Sequence, residues 1–213
     1  MTAVRPEPQE LVGRFVRLEP FTTQHLAGLW EALAHPEVFA GGYGGGPAGL
    51  PATQEAFDRW CSGYGTGERA IKFVARLIGG EHDGRVVGAS TLGDLDEGLE
   101  QAHLGWTGWD PRVWGTQVNV EAKLLMLQLA FDHGYGRVRL QADDANARSR
   151  AAIANLGATF EGVLRRDRRR ADGSWRGTAV FSILSDEWPQ VRAGLERRLA
   201  EFGDAPVVVT PAS

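Results

Sequence analysis

The residues best placed to do chemistry form a short loop, residues 112–119, that leads into an apolar segment at residues 120–133. The segment is apolar on nearly every side, which predicts a helix buried inside a domain. The first turn of a helix carries free backbone N–H groups and the positive end of the helix dipole, so it suits an anion such as a pyrophosphate. Gly115 would let such a ligand approach the backbone closely. Taken alone, the loop is better explained as an ordinary connection into a core helix.

A second pair of polar residues, Asn146 and Ser149, stands three residues apart where a predicted strand turns into a helix. That spacing is typical of a helix N-terminus, where a side-chain oxygen accepts a hydrogen bond from a backbone N–H group. Asn146 is therefore predicted to cap the helix. The five histidines and Cys61 show no metal-ligand spacing, so no metal site is expected.

The bulk composition narrows the classes of protein that the chain can belong to. Its 213 residues are enough for one domain with a substantial core. A net charge of −4 gives no global basic field, so a nucleic-acid partner is not expected. The single Cys61 excludes an internal disulfide, and no apolar run is long enough to cross a bilayer. With no secretory signal visible near Met1, we expect a cytoplasmic protein without a membrane partner.

The elements that would position the polar residues follow in a definite order. Alternation and turn signals predict strands at 14–19, 71–77, 85–92, 101–109 and 138–142, and a hairpin at 160–168 and 175–184. Helices are predicted after Thr22 and Thr53, over 120–133, before Gly157 and over 186–202. This order favours one mixed sheet with helices on both faces. Residues 13–203 are predicted to form the single domain, with loose Pro-rich tails at 1–12 and 204–213.

Four blocks of the chain, in order, resemble the GCN5-related N-acetyltransferases (GNAT), and in particular the branch of ribosomal-protein N-terminal acetyltransferases. The resemblance covers about residues 14–190 and implies an α/β (α+β) fold with a mostly antiparallel sheet of about seven strands and a C-terminal helix. The blocks are residues 16–20, Trp114-Gly115 with Glu121-Ala122, residues 146–149 with 156–158, and residues 161–165 leading to 181–184 and Glu187-Trp188.

The resemblance implies acetyl-CoA as the cofactor, with its pyrophosphate on the backbone N–H groups of residues 115–119. The family's phosphate loop has Arg or Gln, two residues, Gly, one residue, then Gly or Ala; Arg112 and Gly115 match, whereas Gln117 departs. A Gln side chain can still donate to a phosphate. Lys123, Arg148 and Arg150 are further phosphate candidates, or else solvent-exposed charges. The full set of predicted cofactor-binding residues is Trp106, Thr107, Gly108, Arg112, Val113, Trp114, Gly115, Thr116, Gln117, Val118, Asn119, Lys123, Asn146, Ser149 and Arg150.

The family's reaction needs a neutral amine to attack a thioester, so a base must take the amine's proton. Relatives often place a Glu where this chain has His103, and a His titrates near neutrality. His103 is thus either the base or a strand His paired with a polar neighbour, and Glu100 and Asp94 are alternatives. Relatives also carry a Tyr acid at the position of Ile153, and its absence favours Ser149 for steadying or reprotonating the leaving thiolate.

The resemblance also implies how the thioester would be held. Backbone N–H groups at residues 106–108 would polarise the thioester carbonyl, as an oxyanion hole does. The strand at 101–109 would part from the strand at 138–142, and the pantetheine arm would fill the gap like an added strand.

Three functions follow as alternatives. The first is transfer of acetyl from acetyl-CoA to a primary amine, a protein N-terminus or a small molecule, by direct attack in a ternary complex. The second is transfer of a bulkier acyl group such as succinyl, with the loop at 41–49 and the arginines of 165–170 admitting a carboxylate. The third is a CoA-binding or scaffold domain without catalysis. The hairpin and the final helix would also suit a homodimer.

Overall fold

The computed structural model describes residues 2–210, which form one eight-stranded sheet with six α-helices around it. The strands are β1 Leu11–Val12, β2 Val16–Pro20, β3 Ile71–Leu77, β4 Val86–Asp96, β5 Gln101–Trp109, β6 Arg137–Asp143, β7 Thr159–Arg169 and β8 Trp175–Leu184. The helices are α1 Leu26–Leu33, α2 Pro36–Ala40, α3 Gln54–Gly63, α4 Gln117–Asp132, α5 Ala147–Ala154 and α6 Trp188–Glu201. Short 3₁₀ turns stand at Thr23–His25, Tyr43–Gly45, Pro47–Gly49 and Pro111–Val113.

The strand order is β1-β2-β3-β4-β5-β6-β8-β7, and every neighbouring pair is antiparallel except β5 and β6. The mixed, mostly antiparallel sheet predicted from the sequence is therefore confirmed. The structure has one strand more than expected. The additional strand, β1, lies in the segment predicted to be a loose tail, and two residues are too few to show an alternating pattern.

The parallel strands β5 and β6 are paired along only part of their length. The two strands pair at only three positions, where Gln101, Ala102 and His103 face the stretch from Arg137 to Arg139. Beyond His103 no pairing between the two strands is recorded among residues 2–210, although both strands continue. A gap therefore opens in the middle of the sheet.

Helices cover both faces of the sheet because residues of its central strands alternate between two apolar clusters. On β3, Phe73 and Ala75 pack in the cluster that contains α4 and α6. Val74, between them, packs with Leu29 of α1 and Phe57 of α3. The prediction of helices on both faces is confirmed.

The central helix α4 begins at Gln117, three residues earlier than its apolar run suggests. Thr116 caps it, because the Thr116 hydroxyl accepts from the N–H group of Val118 at 3.4 Å. Residues 117–119 are thus the first helical turn rather than part of a loop. The apolar pattern placed the start too late because Gln117 and Asn119 are polar although they lie in the helix.

Helix α4 is tied to β2 by one buried carboxylate. Glu121, only 4% exposed, accepts hydrogen bonds from the backbone N–H groups of Arg14, Phe15 and Val16 at 2.8, 2.7 and 2.7 Å. Those N–H groups would otherwise be unpaired at the start of the strand. The contact fixes the position of α4 under the first half of the sheet.

The terminal segments, predicted to be loose, pack on the domain where the structure describes them. Ala3 is buried, and the Val4 N–H group donates to the carbonyl of His133. Val207 is also buried, and the Thr210 N–H group donates to the carbonyl of Arg112. Small apolar side chains in polar, Pro-rich stretches anchor both segments, which a composition argument does not detect. The domain limits 13–203 stay a prediction.

The connection between α1 and α3 is more ordered than the sequence suggests. Pro36 starts the short helix α2, since proline is well tolerated at the first helical position. The glycine-rich loop at 41–49 contains two 3₁₀ turns. No helix within residues 2–210 is both long and apolar enough to cross a bilayer.

Candidate active site

A cavity of about 570 Å³ lies where β5 and β6 part. Its walls come from both faces of the sheet, because Tyr43 and Trp60 lie on the side of α1–α3 and Lys123 on the side of α4. The start of α5 and the β7–β8 hairpin complete it through Ser149 and Arg176. The gap between the strands therefore connects the two sides of the sheet.

A bulge in β5 shapes the wall of this cavity. Thr91 and Ala89 of β4 pair with Gly105 and Gly108 of β5, so β5 has one residue more than its partner over this stretch. Trp106 takes up the extra length with a φ of 47°, which is rare for a residue with a side chain. Bulges re-aim the groups around them. Residues 106–108, predicted to hold the thioester carbonyl, all line the cavity.

His103 lies on β5 just before the bulge and lines the cavity with an exposure of only 6%. Its Nδ1 lies 3.3 Å from a carboxylate oxygen of Asp94, which also accepts from Arg139 at 2.8 Å. Among the residues that the structure describes, its Nε2 has no hydrogen-bond partner. Burial lowers the pKa of His103, and the hydrogen bond to Asp94 opposes that fall. A neutral ring that donates from Nδ1 keeps Nε2 as a proton acceptor.

Asn146 and Ser149 occupy the opposite side of the gap at the start of α5. The Asn146 side-chain oxygen accepts from the Ser149 N–H group at 3.0 Å, so the predicted cap is present. The Asn146 amide also donates to the carbonyl of Gly41, which fixes the glycine-rich turn over the cavity. Ser149 lines the cavity, within the same enclosure as His103.

The start of α4 forms one end of the cavity, with Trp114, Gly115 and Asn119 in the lining. Gly115 has a φ of 78°, and a Cβ there would meet nothing within 4 Å. The left-handed backbone, not crowding, therefore selects glycine at this position. The Arg148 guanidinium lies 3.5 Å from the centre of the Trp114 ring, and it has no carboxylate partner among residues 2–210. A helix start beside an unpaired cation suits a phosphorylated ligand.

Indole side chains hold this end of the cavity in shape. The Trp109 indole N–H donates to the Asn119 side-chain oxygen at 2.8 Å, and the Trp114 indole N–H donates to the Trp109 carbonyl at 3.0 Å. Val113, also predicted in the cofactor set, lines the cavity from the preceding turn.

Four predicted side chains are engaged away from the cavity. Arg112 binds the carboxylate of Asp110 through two of its nitrogens, at 2.8 and 2.7 Å. That hydrogen bonding raises the pKa of Arg112 and leaves Arg112 committed to Asp110. Gln117 donates to the carbonyl of Ala205 at 3.3 Å, so its amide faces the C-terminal segment.

Thr116 and Val118 take structural positions, the first as the cap of α4 and the second in the apolar core. The predicted contribution of residues 115–119 through their backbone N–H groups is compatible with both roles.

Two further candidates lie outside the cavity lining. Arg150 donates to the carbonyl of Asp144 at 3.2 Å and lies near the ring of Phe160. Glu100 sits in the turn between β4 and β5, where its carbonyl accepts from the N–H group of Gly136 at 2.8 Å. That turn is at the far end of β5 from the bulge, so the structure does not bring Glu100 to Ser149.

Lys123, predicted as a phosphate ligand or a solvent-exposed charge, lines the cavity from the second turn of α4. Its side chain is 5% exposed and donates to the hydroxyls of Ser90 and Thr107 at 2.9 and 2.6 Å. Burial lowers the pKa of Lys123 to about 7. The side chain is therefore a buried, readily neutralised amine and not an exposed phosphate ligand.

Sequence reasoning missed part of the aromatic wall of the cavity. Tyr43, Trp60 and Tyr64 pack against one another, with ring centres 5.2 Å apart for the two tyrosines and 4.7 Å for Trp60 and Tyr64. The four-residue spacing between Trp60 in α3 and Tyr64 at its C-terminal cap was a visible signal. Tyr43 stands among glycines, which hid it, and the N–H group of Gly44 fixes it there by donating to Tyr64. Burial raises the pKa of both tyrosines.

No metal-binding chemistry is evident among the described residues, where no cluster of three or more His, Cys, Asp or Glu side chains could hold an ion. The cavity thus brings together a proton acceptor at His103, a hydroxyl at Ser149 and, at the start of α4, a helix N-terminus that suits an anion. These groups suit a proton-coupled group transfer from a phosphorylated donor.

Comparisons with known proteins agree with this arrangement. The acetyltransferase (GNAT) domain family matches residues 16–159, more than half of the chain. Comparison with curated proteins gives no match. A structure from T. thermophilus assigned as an acetyltransferase is 34% identical, with a TM-score of 0.81 over 92% of this chain and 100% of that one. A GCN5-related N-acetyltransferase from Brucella melitensis is 29% identical, with a TM-score of 0.82 over 93% and 88% of the two chains.

The chain therefore belongs to the GNAT acetyltransferase family, and it is an N-acetyltransferase. The family resemblance stated from the sequence is confirmed. Mycobacterium smegmatis RimJ, solved in complex with CoA-disulfide, shares the fold with a TM-score of 0.74 at 22% identity, over 90% of this chain and 95% of that one.

Proposed function

We propose that the protein transfers an acetyl group from acetyl-CoA to a primary amine in a ternary complex. The observation that carries the proposal is the gap between β5 and β6, which joins an anion site at the start of α4 to a proton acceptor and a hydroxyl. Acyl transfer from a phosphorylated thioester to an amine can use all three. The CoA complex of RimJ, a protein of the same fold, supports the choice of donor.

The residues present fit the proposed donor. Gly115 gives an uncrowded left-handed backbone at the helix start, and Arg148 supplies a positive charge beside it. The unpaired edges of β5 and β6 can accept an extended chain as an added strand. When bound, acetyl-CoA supplies the activated thioester. Gly115, Trp114, Asn119 and Arg148 would hold its phosphates.

The mechanism assigns a separate task to each group around the gap. His103 takes a proton from the attacking amine at Nε2, while Asp94 steadies the ring through Nδ1. The backbone N–H groups at 106–108 donate to the oxygen on which negative charge develops. The Ser149 hydroxyl would donate a hydrogen bond to the thioester sulfur of the bound donor, which leaves as the amine nitrogen bonds to the carbonyl carbon.

The test is thiol release from acetyl-CoA by the purified chain with a panel of primary amines, alongside calorimetric titration with CoA. We expect CoA binding and amine-dependent release, and a fall in kcat of about a hundredfold in Ser149→Ala with CoA affinity retained. Ser182→Ala, which removes a hydroxyl on the β6–β8 ladder, serves as the matched control. Tight CoA binding without release by any amine would instead identify a non-catalytic CoA-binding domain.

The acceptor and the assembly state belong to this proposal as well. An amine such as a protein N-terminus is the expected partner. A homodimer stays a prediction; edge strand β7, with Phe160, Val163 and Leu164 exposed, is a surface on which it can be examined by sedimentation velocity.

A further inference from the structure

Two arginines of the β7–β8 hairpin face each other directly. Arg168 of β7 is the ladder partner of Arg176 of β8, and both line the cavity. Facing residues in an antiparallel pair have their Cβ atoms about 5 Å apart, and like charges in such positions repel. The pairing is unfavourable for the hairpin alone. An anion held by both guanidinium groups would remove the repulsion.

The hairpin departs from regular geometry to produce this pairing. From the pair Leu164–Thr178 to the pair Arg168–Arg176, β7 advances by four positions, whereas β8 advances by two. Arg166 lies within this bulge with a φ of 53°, in the left-handed region that disfavours side chains. Bulges of this kind re-aim side chains and are frequent beside active sites. The irregularity brings Arg168 to the cavity.

Neither arginine has a strong partner in the part of the chain that the structure describes. The Nε atom of Arg176 is buried without a hydrogen bond. Arg168 has one recorded ion pair, at 3.4 Å, with its sequence neighbour Asp167. That carboxylate also accepts from the Thr178 hydroxyl at 2.7 Å. A guanidinium group with a buried, unpaired N–H is ready to bind an added acceptor.

The charge lining the cavity is strongly one-sided. Its permanently charged side chains, besides the Arg168–Arg176 pair, are Arg148 and Arg169, and Lys123 and His103 are titratable. The carboxylate among its lining residues is Asp143, and Arg170 already binds both oxygens of Asp143, at 3.0 and 2.9 Å. The whole chain has a net charge of −4, so this excess of positive charge is local to the cavity.

The Arg168–Arg176 pair lies on the β7–β8 hairpin, whereas the cation at the start of α4 comes from α5. Arg148 stacks on Trp114 at the start of α4. Tyr64 lines the same cavity as both arginines, and the positive charges of Arg176 and Arg168 oppose the rise that burial causes in the pKa of Tyr64. The charge of Arg168 also contributes to lowering the pKa of His103, after burial as the main cause. The charges of the pair therefore act on the aromatic wall and on His103, where the amine is expected to be acylated.

We propose that Arg168 and Arg176 together bind a carboxylate of the substrate at this end of the cavity. Two guanidinium groups offer the forked donor geometry that a carboxylate accepts. The inference rests on the proposed function and specifies its substrate class. The carboxylate belongs either to the acceptor, as in a peptide with an acidic residue next to its free N-terminus, or to the far end of the acyl chain, as in succinyl-CoA.

The experiment has two arms, both with the full-length chain. In the first, acetyl-CoA is combined with C-terminally amidated peptides that differ only by Glu or Gln at the second position. In the second, the Gln peptide is combined with acetyl-CoA or succinyl-CoA. We expect kcat/KM to be about tenfold or more higher for the carboxylate-bearing member of one arm, because charge-assisted hydrogen bonds are strong. The arm that shows the preference identifies the source of the carboxylate.

Two arginine variants and one control test the assignment. Arg176→Gln and Arg168→Gln should each remove most of the preference while CoA affinity, measured by calorimetry, is unchanged. Arg197→Gln, an exposed arginine of α6 outside the cavity, should keep the preference. Equal rates within both pairs of the unmodified protein would overturn the proposal. The proposal would also be overturned if the two arginine variants bound CoA more weakly and kept the preference for the carboxylate-bearing substrate. The arginine pair would then bind the cofactor phosphates.

If no combination releases thiol, the proposed function fails, and a binding measurement decides the inference separately. Calorimetry with CoA present should show the Glu peptide or succinyl-CoA binding about tenfold more tightly than its neutral counterpart, with the difference lost in Arg176→Gln. Equal affinities would overturn the inference that Arg168 and Arg176 bind a substrate carboxylate.

Discussion

At the scale of single residues, the proposal of His103 as the base rests on its burial and on one hydrogen bond. The ring is almost fully buried, donates towards Asp94 and keeps Nε2 unpaired at the cavity. Burial disfavours the charged imidazolium, so the ring is neutral and able to accept a proton at neutral pH. A strand His, which sequence alone left equally open to a structural role, therefore has the geometry of an acid–base group.

The pH dependence of catalysis tests this role. Because burial lowers the pKa of His103, kcat/KM should rise with pH through an apparent pKa below the ordinary value of about 6.5. His103→Gln should remove that limb and lower kcat about a hundredfold. Asp94→Asn should move the limb to lower pH, since Asp94 raises the pKa of His103. A limb that persists unchanged in His103→Gln would exclude the residue as the base.

Lys123 gives a second prediction, on stability. Between about pH 7 and its ordinary pKa, the unfolded chain binds a proton at Lys123 that the folded protein does not bind, so folding is favoured as pH rises. Lys123→Met removes this dependence, and Ser90 and Thr107 can still bond each other across 2.8 Å. We expect the variant to be more stable than the natural protein near pH 7. The difference in unfolding free energy between the variant and the natural protein should fall by up to about 1.4 kcal/mol per pH unit towards pH 10.

Urea unfolding of both proteins from pH 6 to pH 10 measures this difference, and titrations that the two proteins share cancel in it. An advantage that is constant across the range would show that Lys123 is not neutralised by burial.

At the scale of elements, the buried Glu121 carboxylate joins α4 to β2. Glu121→Ala would leave the N–H groups of Arg14, Phe15 and Val16 without their acceptor, two of them in buried residues. We expect a loss of unfolding free energy of about 3 kcal/mol or more. Glu121→Gln keeps one acceptor oxygen and should lose less. Denaturant midpoints compare the three proteins, and equal losses in the two variants would contradict this account.

Most helices and strands could be predicted because the sequence signals that define them lie within each segment. Strands β3 and β5 were predicted with the bounds observed, since their alternating patterns end at turn signals. Helix α4 was predicted too short, because its first turn is polar and its cap is Thr116. Strand β1 was missed because pairing with β2, not its own sequence, makes it a strand.

The candidate site was only partly predictable, because side-chain partners depend on the folded chain. Gly115, Asn146 and Ser149 carry local signals and line the cavity. Arg112 also matches the family's loop pattern, yet Asp110, two residues away, binds its side chain. The opposition of Arg168 and Arg176 depends on a bulge that no spacing rule reveals.

At the scale of the whole molecule, the sheet consists of two blocks, β1–β5 and β6–β8, joined by three ladder positions at one end of β5 and β6. Helix α4 and the clusters beneath it connect the blocks elsewhere. A ligand held along both unpaired edges would add the hydrogen bonds that the two strands do not give each other.

The short pairing between β5 and β6, here called the seam, should determine where the protein opens locally. Without a ligand, hydrogen–deuterium exchange should be faster for the amides of residues 104–107 and 140–142 than for those shared by β2 and β3, since local opening follows the sparsest bonding. Saturating CoA should slow exchange on both sides of the seam together while leaving β2 and β3 unchanged. Slowing confined to one side would mean that the ligand rests on one block; slowing on both would mean that it fastens the halves together and lends them a rigidity the polypeptide lacks by itself.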